Sequence, residues 1–470
     1  MKHSLIAGQW VGDAEPFVVQ DKFLLRPFAE VAAASRAQVA QAVAGLKEAA
    51  RGGAPAPAER AAHLRQAAQI LGERRKLFID TMVAEAGFTL PDASTEVDRA
   101  QITLQLCAEE APRLVGDVVP FAASPGAHNR LGFTLRSPLG VVCAITPFNS
   151  PLNTVLHKVG PAYAAGNAVA LKPSALTPLT AAHLGQVLLD AGLPADFLAI
   201  LQGEGDSVGR WLLEEQDIAF YTFTGSTRVG RIIQDAAGLR RTQMELGSIA
   251  STLVCASADQ DKAAEKIANA AFRKAGQVCT SVQRLYVHAD IFESFTAKLM
   301  DCAGRLPAGD PRLPETRVGP LISEAAAIRS ERWIAEAVEL GARRHCGGTR
   351  HGAVLTPTLM TEVGDAATVW CQEAFAPVLA VRPFHALAEA VEDANRTPYG
   401  LAAGIFSADI HECMFAMRNL RFGTVQINET SSARSDVMPF GGVKDSGFGK
   451  EGPWHAMREM SEERLVVINP

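Results

Sequence analysis

The 470-residue chain contains 48% hydrophobic and 20% charged residues, and its formal net charge is −6 with an isoelectric point near 6.0. This composition is typical of a globular protein of two or three domains and excludes a disordered chain. The mild acidity and the lack of a basic run argue against nucleic acid or an anionic membrane as the main partner.

The eight cysteines are scattered, and none has Cys-x-x-Cys or zinc-type spacing. Such spacing favours free thiols in a reducing compartment and gives no support for a bound metal. The first residues lack the apolar region of a signal peptide, and no apolar run approaches the ~18 residues that a membrane span requires. We therefore expect a cytoplasmic protein that does not bind metal, nucleic acid or membrane.

The N-terminal third is predicted to contain short edge strands at 5–11 and 18–19 and then four helices. Val39, Val43 and Leu46 recur at i, i+4 and i+7, as on one face of a helix. The second and third helices are expected to close with left-handed glycines at Gly72 and Gly87. The fourth helix is expected over 93–114, and the Pro- and Gly-containing segment 117–137 is typical of a projecting hairpin.

From residue 139 apolar strands alternate with amphipathic helices, which predicts a buried parallel sheet. Ligands of such sheets bind at the carboxyl ends of the strands. The predicted strands of this unit are 139–145, 167–171, 197–201 and 218–224.

A second α/β unit is predicted to begin at Ser251. Its first helix, 261–275, leads directly to Cys279, and strands are expected at 284–288, 378–381, 402–406 and 424–427. The tail, 464–468, has the composition of a strand but no obvious local partner.

Local residues alone leave the role of Cys279 open, because a lone cysteine is most often a buried packing residue. Ser226 follows a predicted strand, where it could hold a phosphate or simply cap a helix. The Gly203-x-Gly205 pair resembles a dinucleotide loop only weakly, because Val208 stands where the third glycine is needed.

Three further strand ends carry polar side chains. Lys172 could reach a cofactor ribose, and the Asn149 amide is a candidate oxyanion donor. Glu245 follows another strand, and a carboxylate in apolar surroundings has a raised pKa suited to a general base.

Taken together, five motifs resemble the aldehyde dehydrogenase superfamily along essentially the whole chain. Within the superfamily, their style is closest to that of lactaldehyde, phosphonoacetaldehyde and semialdehyde dehydrogenases. The motifs are Phe223-Thr224-Gly225-Ser226-Thr227, Met244-Glu245-Leu246-Gly247, Gly276-Gln277-Val278-Cys279-Thr280, Glu373-Ala374-Phe375-Ala376-Pro377 and Pro439-Phe440-Gly441-Gly442-Val443-Lys444-Asp445-Ser446-Gly447.

The resemblance implies an α/β protein with two parallel-sheet domains and a β-hairpin oligomerisation element. The Rossmann-like cofactor domain would comprise 1–118 and 138–246, and the catalytic domain 247–455. The oligomerisation element would comprise 119–137 with 456–470, each tail strand completing the sheet of a neighbouring subunit. A homodimer or homotetramer is expected.

The resemblance also implies the chemistry. Cys279 would attack a small aldehyde, Asn149 and the Cys279 N–H would hold the oxyanion, and Glu245 would activate the water that hydrolyses the thioester. The surroundings would have to stabilise the thiolate. The expected catalytic residues are Cys279, Glu245, Asn149 and Lys172, and the expected residues for NAD or NADP are Thr146, Lys172, Ser174, Gly205, Gly225, Ser226, Glu373 and Phe375.

Some positions depart from the family pattern. Ser248 and Ala376 stand where glycine is common, and both are small. Ala175 stands where NAD-preferring members often carry a glutamate that grips the adenosine ribose. Because Ser174 and Ala175 carry no carboxylate, we expect NADP to be admitted, with the preference open.

The substrate is expected to be small and polar or anionic, bound by His157, Arg434 and Phe440. His157 lies eight residues after Asn149, about two helical turns on, and could face an aldehyde tunnel. Alternatively, His157 packs in the core and Arg434 pairs with Asp436 or solvent. Val278 stands where phosphonate-specific relatives carry arginine, which argues against phosphonoacetaldehyde.

Other functions remain open from the sequence. They are a CoA-acylating semialdehyde dehydrogenase, an enzyme for apolar or aromatic aldehydes, a non-catalytic paralogue and a cofactor-free cysteine hydrolase. Retention of Glu245 argues for hydrolysis rather than CoA acylation, and retention of both Cys279 and Glu245 argues against a non-catalytic paralogue. A cysteine hydrolase would need a histidine base, and no histidine lies in the motif around Cys279.

Overall fold

The computed structural model describes residues 3–12, 15–127 and 129–469. Its strands are β1 Ser4–Ile6, β2 Gln9–Val11, β3 Pro16–Asp21, β4 Arg26–Ala32, β5 Val118–Val119, β6 Leu131–Pro138, β7 Val141–Ile145, β8 Ala168–Lys172, β9 Leu198–Ile200, β10 Ile218–Thr224, β11 Arg241–Glu245, β12 Ala250–Val254, β13 Val282–His288, β14 Arg343–Cys346, β15 Arg350–His351, β16 Val354–Leu355, β17 Thr358–Thr361, β18 Val378–Phe384, β19 Ala402–Phe406, β20 Thr424–Ile427, β21 Gly447–Phe448 and β22 Ser461–Ile468.

The α-helices connect these strands and cover the two large sheets. They are α1 Arg36–Gly52, α2 Pro57–Glu73, α3 Arg75–Ala86, α4 Leu90–Glu110, α5 Asn153–Ala164, α6 Pro178–Asp190, α7 Arg210–Glu214, α8 Thr227–Ala237, α9 Gln260–Phe272, α10 Phe292–Gly304, α11 Glu324–Glu339, α12 Thr368–Cys371, α13 Leu387–Asn395, α14 Ile410–Asn419 and α15 Pro453–Glu459. None of these helices is long and apolar enough to cross a membrane.

The first large sheet has the order β2-β1-β9-β8-β7-β10-β11-β21. Its five central strands, from β9 to β11, are parallel, whereas β1, β2 and β21 add antiparallel edges. The buried strands β7 and β8 have no exposed face, which explains their continuous apolar sequences.

The second large sheet has the order β14-β17-β18-β13-β12-β19-β20, and all its strands are parallel except β14. Each large sheet has its own apolar core. The prediction of an α/β fold with two parallel-rich sheets is therefore confirmed. Strand β21 joins the first sheet although it lies within the segment predicted as catalytic, and α15, which crosses the predicted boundary at 455, packs into the core of the first sheet.

A third sheet joins the predicted hairpin to the C-terminal tail in the order β22-β6-β5. Strand β22 pairs antiparallel with β6 from Ser461↔Pro138 to Ile468↔Leu131. The tail strand thus pairs with a distant segment of its own chain, which agrees with the lack of a local partner, and the expected pairing with a neighbouring subunit stays a prediction. The pairing is between segments more than three hundred positions apart, so no local signal revealed it.

The two predicted helix caps have different outcomes. Gly87 is left-handed (φ 71°, ψ 20°) and ends α3 as predicted. Helix α2 continues past Gly72 to Glu73 and is capped at Arg74, with φ −96°, so the prediction for Gly72 was wrong. Arg74 also precedes the first residue of α3, and the abutting helices need no left-handed residue between them.

Candidate active site

Four neighbouring parallel strands end at one edge of the first sheet. Strand β8 ends at Lys172 and β11 at Glu245, while β7 leads to Asn149 and β10 to Ser226. Because parallel strands place their carboxyl ends at the same edge, these side chains converge. They line one cavity of about 870 Å³.

The second sheet faces the same cavity with the amino ends of its strands. Cys279 lies in the loop before β13, and Glu373 and Phe375 lie before β18. Gly276 is left-handed (φ 70°), and a Cβ there would lie 2.1 Å from the Ala376 carbonyl oxygen. The loop that carries Cys279 therefore requires glycine at this position.

Cys279 and Glu245 lie close enough across the cavity to influence each other's charge, and the buried Glu245 Oε1 has no hydrogen-bond partner in the described structure. Burial and repulsion from Glu451 raise the pKa of Glu245 to about 7. Burial and the nearby Glu245 carboxylate raise the pKa of the Cys279 thiol well above its ordinary value, and Arg434 opposes this only in part. The surroundings thus favour the protonated thiol. The sequence had led us to expect the opposite, that they would stabilise the thiolate.

The Asn149 amide is held beside the Cys279 loop. Its Nδ2 donates to the carbonyl oxygen of Gln277 at 2.8 Å. An amide nitrogen carries two hydrogens, so one remains for a second acceptor in the cavity. Asn149 therefore has a free donor close to the nucleophile.

A second part of the cavity has the features of a nucleotide site. Burial lowers the pKa of Lys172 to about 8, and its Nζ donates to the Pro173 carbonyl at 3.1 Å. Ser226 caps α8, one of its two predicted roles, and it also lines the cavity, where it could hold a phosphate. Gly205 lines the cavity too, and a Cβ added there would meet no protein atom.

The remaining predicted cofactor residues complete this part. The buried Thr146 Oγ1 has no hydrogen-bond partner in the described structure. Glu373 Oε1 accepts from the Ser248 N–H at 2.9 Å, and burial raises the pKa of Glu373 to about 7. The Phe375 ring packs edge-on against Phe148. Open space at glycine and unused donors and acceptors fit a bound nucleotide.

Arg434 faces the other side of the nucleophile. Its Nη2 donates to Glu451 at 2.7 Å, and its guanidinium lies 3.9 Å from the centroid of the Phe440 ring. Its buried Nε has no partner in the described structure. Arg434 pairs with Glu451 rather than with Asp436, which was the alternative considered from the sequence.

Two more arginines line the cavity near Cys279. Arg99 forms an ion pair with Asp436 at 2.6 Å. Arg273 donates to the Ser432 hydroxyl at 2.7 Å, and within the described ranges no carboxylate forms an ion pair with it. Arg273 therefore brings to the cavity a positive charge that makes no direct ion pair and is offset only from a distance, by Asp92 and Glu96.

His157 does not line the cavity, so its predicted contact with the substrate was wrong. Its Nε2 donates to Asp436 at 2.9 Å in a fully buried site, and burial lowers the pKa of His157. Helix α5 begins only at Asn153, so helical spacing counted from Asn149 does not apply. His157 instead fixes the carboxylate that binds Arg99.

Comparison with known proteins gives a consistent result. A model described as the aldehyde dehydrogenase family matches residues 10–466. The chain is 44% identical to a 3-sulfolactaldehyde dehydrogenase of Priestia aryabhattai, over 99% of this chain and 97% of the relative. The chain belongs to the aldehyde dehydrogenase family.

Solved structures superpose on this aldehyde dehydrogenase along its length. Aldehyde dehydrogenase 21 from Physcomitrella patens, in complex with its product succinate, has a TM-score of 0.97 at 33% identity, covering 100% of this chain and 98% of that one. Glyceraldehyde-3-phosphate dehydrogenase GapN from Methanocaldococcus jannaschii, complexed with NADP, has a TM-score of 0.94 at 33% identity, with 97% and 100% covered.

In this aldehyde dehydrogenase one cavity contains every residue predicted for the site except His157. These residues are Thr146, Asn149, Lys172, Ser174, Gly205, Gly225, Ser226, Glu245, Cys279, Glu373, Phe375, Arg434 and Phe440. The sequence interpretation missed Arg99, Arg273 and Lys274, which also line it. Two of them, the adjacent basic residues Arg273 and Lys274, interrupt a run of small and apolar residues before Cys279. This interruption is the feature of the sequence that could have identified them as site residues.

Proposed function

We propose that this aldehyde dehydrogenase oxidises a short aldehyde carrying a sulfonate or carboxylate to the corresponding acid, with NAD or NADP as oxidant. The observation that carries the proposal is Arg273, a cation that lines the cavity near the nucleophile and makes no direct ion pair among the described residues, with Asp92 and Glu96 offsetting its charge only from a distance. A cation withdrawn from bulk water without a counter-ion is costly. An anionic substrate would supply the missing partner.

The relatives support this substrate class. One curated relative is a 3-sulfolactaldehyde dehydrogenase, and one structural neighbour holds succinate. Both names describe short molecules with an anionic group. Guanidinium groups bind such anions through several donors in a fixed geometry, and Arg434 has an unused buried Nε for this purpose.

The first chemical step depends on Cys279, Glu245 and Asn149. Glu245 takes the thiol proton as the Cys279 sulfur attacks the aldehyde carbon, because the thiol is otherwise protonated. The free Asn149 N–H and the Cys279 backbone N–H stabilise the oxyanion of the thiohemiacetal. Arg434 lies close enough to Cys279 to lower the cost of the developing charge.

The cofactor would be held by the residues that line the nucleotide part of the cavity. Lys172 and Glu373 would bind ribose hydroxyl groups, and Ser226 with Gly205 would border the phosphates. The nicotinamide supplies a hydride acceptor. Ser174 and Ala175 carry no carboxylate that would repel the 2′-phosphate of NADP, and we therefore propose that both NAD and NADP are admitted. Glu204 is a carboxylate that also lines the cavity.

Glu245 acts again in the second half-reaction. The thioester on Cys279 must be hydrolysed, and a carboxylate with a pKa of about 7 is well matched to activate water near neutral pH. The position of Glu245 beside Cys279 supports water, rather than CoA, as the acyl acceptor. Water adds to the thioester carbon, the Cys279 sulfur leaves and takes up a proton to restore the thiol, and the acid is then released.

The test of the substrate class compares charged and uncharged aldehydes. We expect Arg273→Met and Arg434→Met each to lower kcat/KM for sulfoacetaldehyde and succinic semialdehyde by about 10–100-fold, the scale of ~1.5–3 kcal/mol for a charge-assisted hydrogen bond. Propanal lacks the anion, so its kcat/KM should change little. Steady-state kinetics with both cofactors measures this.

Arg418→Met is the matched control, because Arg418 is exposed on α14 and does not line the cavity. It should leave all three substrates unaffected. Equal losses on propanal and the acidic aldehydes would show that Arg273 and Arg434 only hold their loops. A wild-type enzyme that prefers benzaldehyde or long alkanals would contradict the proposed substrate class.

A further inference from the structure

Lys274 adopts an unusual backbone conformation directly before the nucleophile. Lys274 (φ 50°, ψ 33°), Ala275 (φ 53°, ψ 36°) and Gly276 (φ 70°) form three successive left-handed residues. Lysine rarely adopts this conformation, because its Cβ crowds the neighbouring carbonyl oxygen. Such strain persists only where surrounding contacts impose it, and it concentrates at functional sites.

Both the backbone and the side chain of Lys274 are held by contacts, and its backbone N–H donates to Asp92 at 3.3 Å. Its Nζ donates to Glu96 Oε2 at 2.8 Å and to the Asn149 carbonyl at 3.1 Å. The ammonium also lies 4.1 Å from the centroid of the Phe88 ring. The Lys274 side chain is 8% exposed and that of Glu96 is 1% exposed, so the ion pair is buried.

Glu96 connects this pair to the segment that carries the oxyanion donor. Its Oε1 accepts from the Ser150 hydroxyl and from the Asn153 N–H at the start of α5. Asn149 in turn donates to the Gln277 carbonyl at 2.8 Å, two residues before Cys279. The Lys274–Glu96 pair thus joins the two loops that must hold Asn149 and Cys279 at a fixed separation.

We propose that Lys274, acting through Glu96 and the Asn149 carbonyl, is a positioning residue that sets the Asn149 amide relative to the Cys279 sulfur. The inference rests on the proposed function. The ammonium already has a carboxylate, a carbonyl and an aromatic ring as partners, which leaves it little capacity to bind the substrate's anion. Its effect is on the rate of thiohemiacetal formation and not on substrate or cofactor affinity.

Two variants separate the side chain from the backbone. Lys274→Met keeps the length and the strained backbone but removes the charge, whereas Lys274→Asn removes the ammonium and tolerates the left-handed conformation. We expect both to lower kcat for propanal and for succinic semialdehyde alike by about 10–100-fold, since a misplacement of ~1 Å in an active site has effects of this order. KM for both aldehydes and the Kd for NADP should stay within about twofold.

The coupling of Lys274 to Glu96 is tested with a double mutant. Glu96→Gln and Lys274→Met should each lower the pre-steady-state rate of NADPH formation, and the double variant should lose no more than the worse single variant. Lys262→Met, an exposed lysine on α9, is the matched control and should behave as wild type. NADP binding measured by fluorescence verifies that each variant is folded.

Three results would overturn the inference. A rise of KM confined to the acidic aldehyde, with kcat unchanged, would show that Lys274 binds the substrate. Loss of NADP binding in both Lys274 variants would show a purely structural role, and unchanged kinetics would show no role. A wild type without activity on any aldehyde would overturn both the proposed function and this inference. If the wild type is active, the three results above contradict only the role proposed for Lys274.

Discussion

Cys279 and Glu245 lie in a site that disfavours charge on either residue. Burial raises the pKa of both, and their mutual repulsion as anions links their protonation states. Only one negative charge is readily accommodated there, so thiolate formation requires that Glu245 accept the proton. The same carboxylate must be free of that proton before it can activate water.

The roles of the two residues can be separated by kinetics. Cys279→Ala should abolish aldehyde oxidation and retain cofactor binding. Glu245→Gln should lower steady-state turnover by about 10²-fold or more, the usual scale for loss of a general base. Stopped-flow measurement of NADPH formation, with titration calorimetry for the cofactor, distinguishes the steps. Turnover retained by Cys279→Ala would refute the nucleophile assignment.

The pH profile follows from the raised pKa of Glu245. The base is the ionised carboxylate, which is a minor species below a pKa of about 7 and predominates above it. We therefore expect kcat to rise through pH 7, where half of the carboxylate is ionised, and to level off about one pH unit higher. Glu245→Gln should lack this rise. A wild-type kcat that is flat from pH 5.5 to 8 would show that Glu245 does not limit the rate.

At the scale of elements, the start of α6 depends on a residue from another helix. Thr177 makes no side-chain cap, and Glu85 from α3 instead accepts the N–H groups of Leu179 and Thr180, both at 2.8 Å. These are donors that a helix cannot satisfy internally. Glu85 is fully buried, so no water replaces it.

Removal of this carboxylate should destabilise the protein measurably. Glu85→Ala leaves two buried N–H groups without acceptors, and we expect a loss of about 1–3 kcal/mol for each. Differential scanning calorimetry should record a lower Tm by several degrees. Asp235→Ala, at an exposed position on α8, is the control and should leave Tm unchanged. An unchanged Tm in Glu85→Ala would contradict the capping role.

At the scale of the whole molecule, the site forms where the carboxyl ends of the strands in one sheet face the amino ends of the strands in the other. The first sheet contributes residues that follow its strands, and the second contributes residues that precede β13 and β18. The rule that ligands bind at carboxyl ends therefore located Lys172, Asn149, Ser226 and Glu245 but gave no reason to place Cys279 with them. The family resemblance supplied that connection.

The three-stranded sheet retains an apolar surface that supports the expected homo-oligomer. Val118, Leu131, Leu465 and Ile468 are 76%, 55%, 53% and 47% exposed on strands β5, β6 and β22. Exposed apolar groups on an unpaired sheet edge favour association. We expect Leu131→Glu with Leu465→Glu to shift the protein toward monomer in analytical ultracentrifugation.

The control for this surface is Leu313→Glu, since Leu313 is 45% exposed in a loop outside the three-stranded sheet. It should leave the sedimentation coefficient unchanged. A wild type that sediments as a monomer at micromolar concentration would contradict the expected assembly.

The sequence by itself determined the alternation of strands and helices and the identity of the chemical groups at the strand ends. These features are local, because apolar runs, turn residues and short motifs act over a few positions. The predicted strand ends at Lys172 and Glu245 therefore agree with the structure. The α/β class followed from the same patterns.

Only the tertiary structure decided which charged residues face the cavity. His157 and Arg273 are both basic residues near the motifs, yet Asp436 holds His157 in the core while Arg273 faces the cavity without an ion pair in the described part of the chain. The pairing of β22 with β6 was decided in the same way. Partners that lie hundreds of positions apart are chosen by packing and burial, and neither quantity is written in the local sequence.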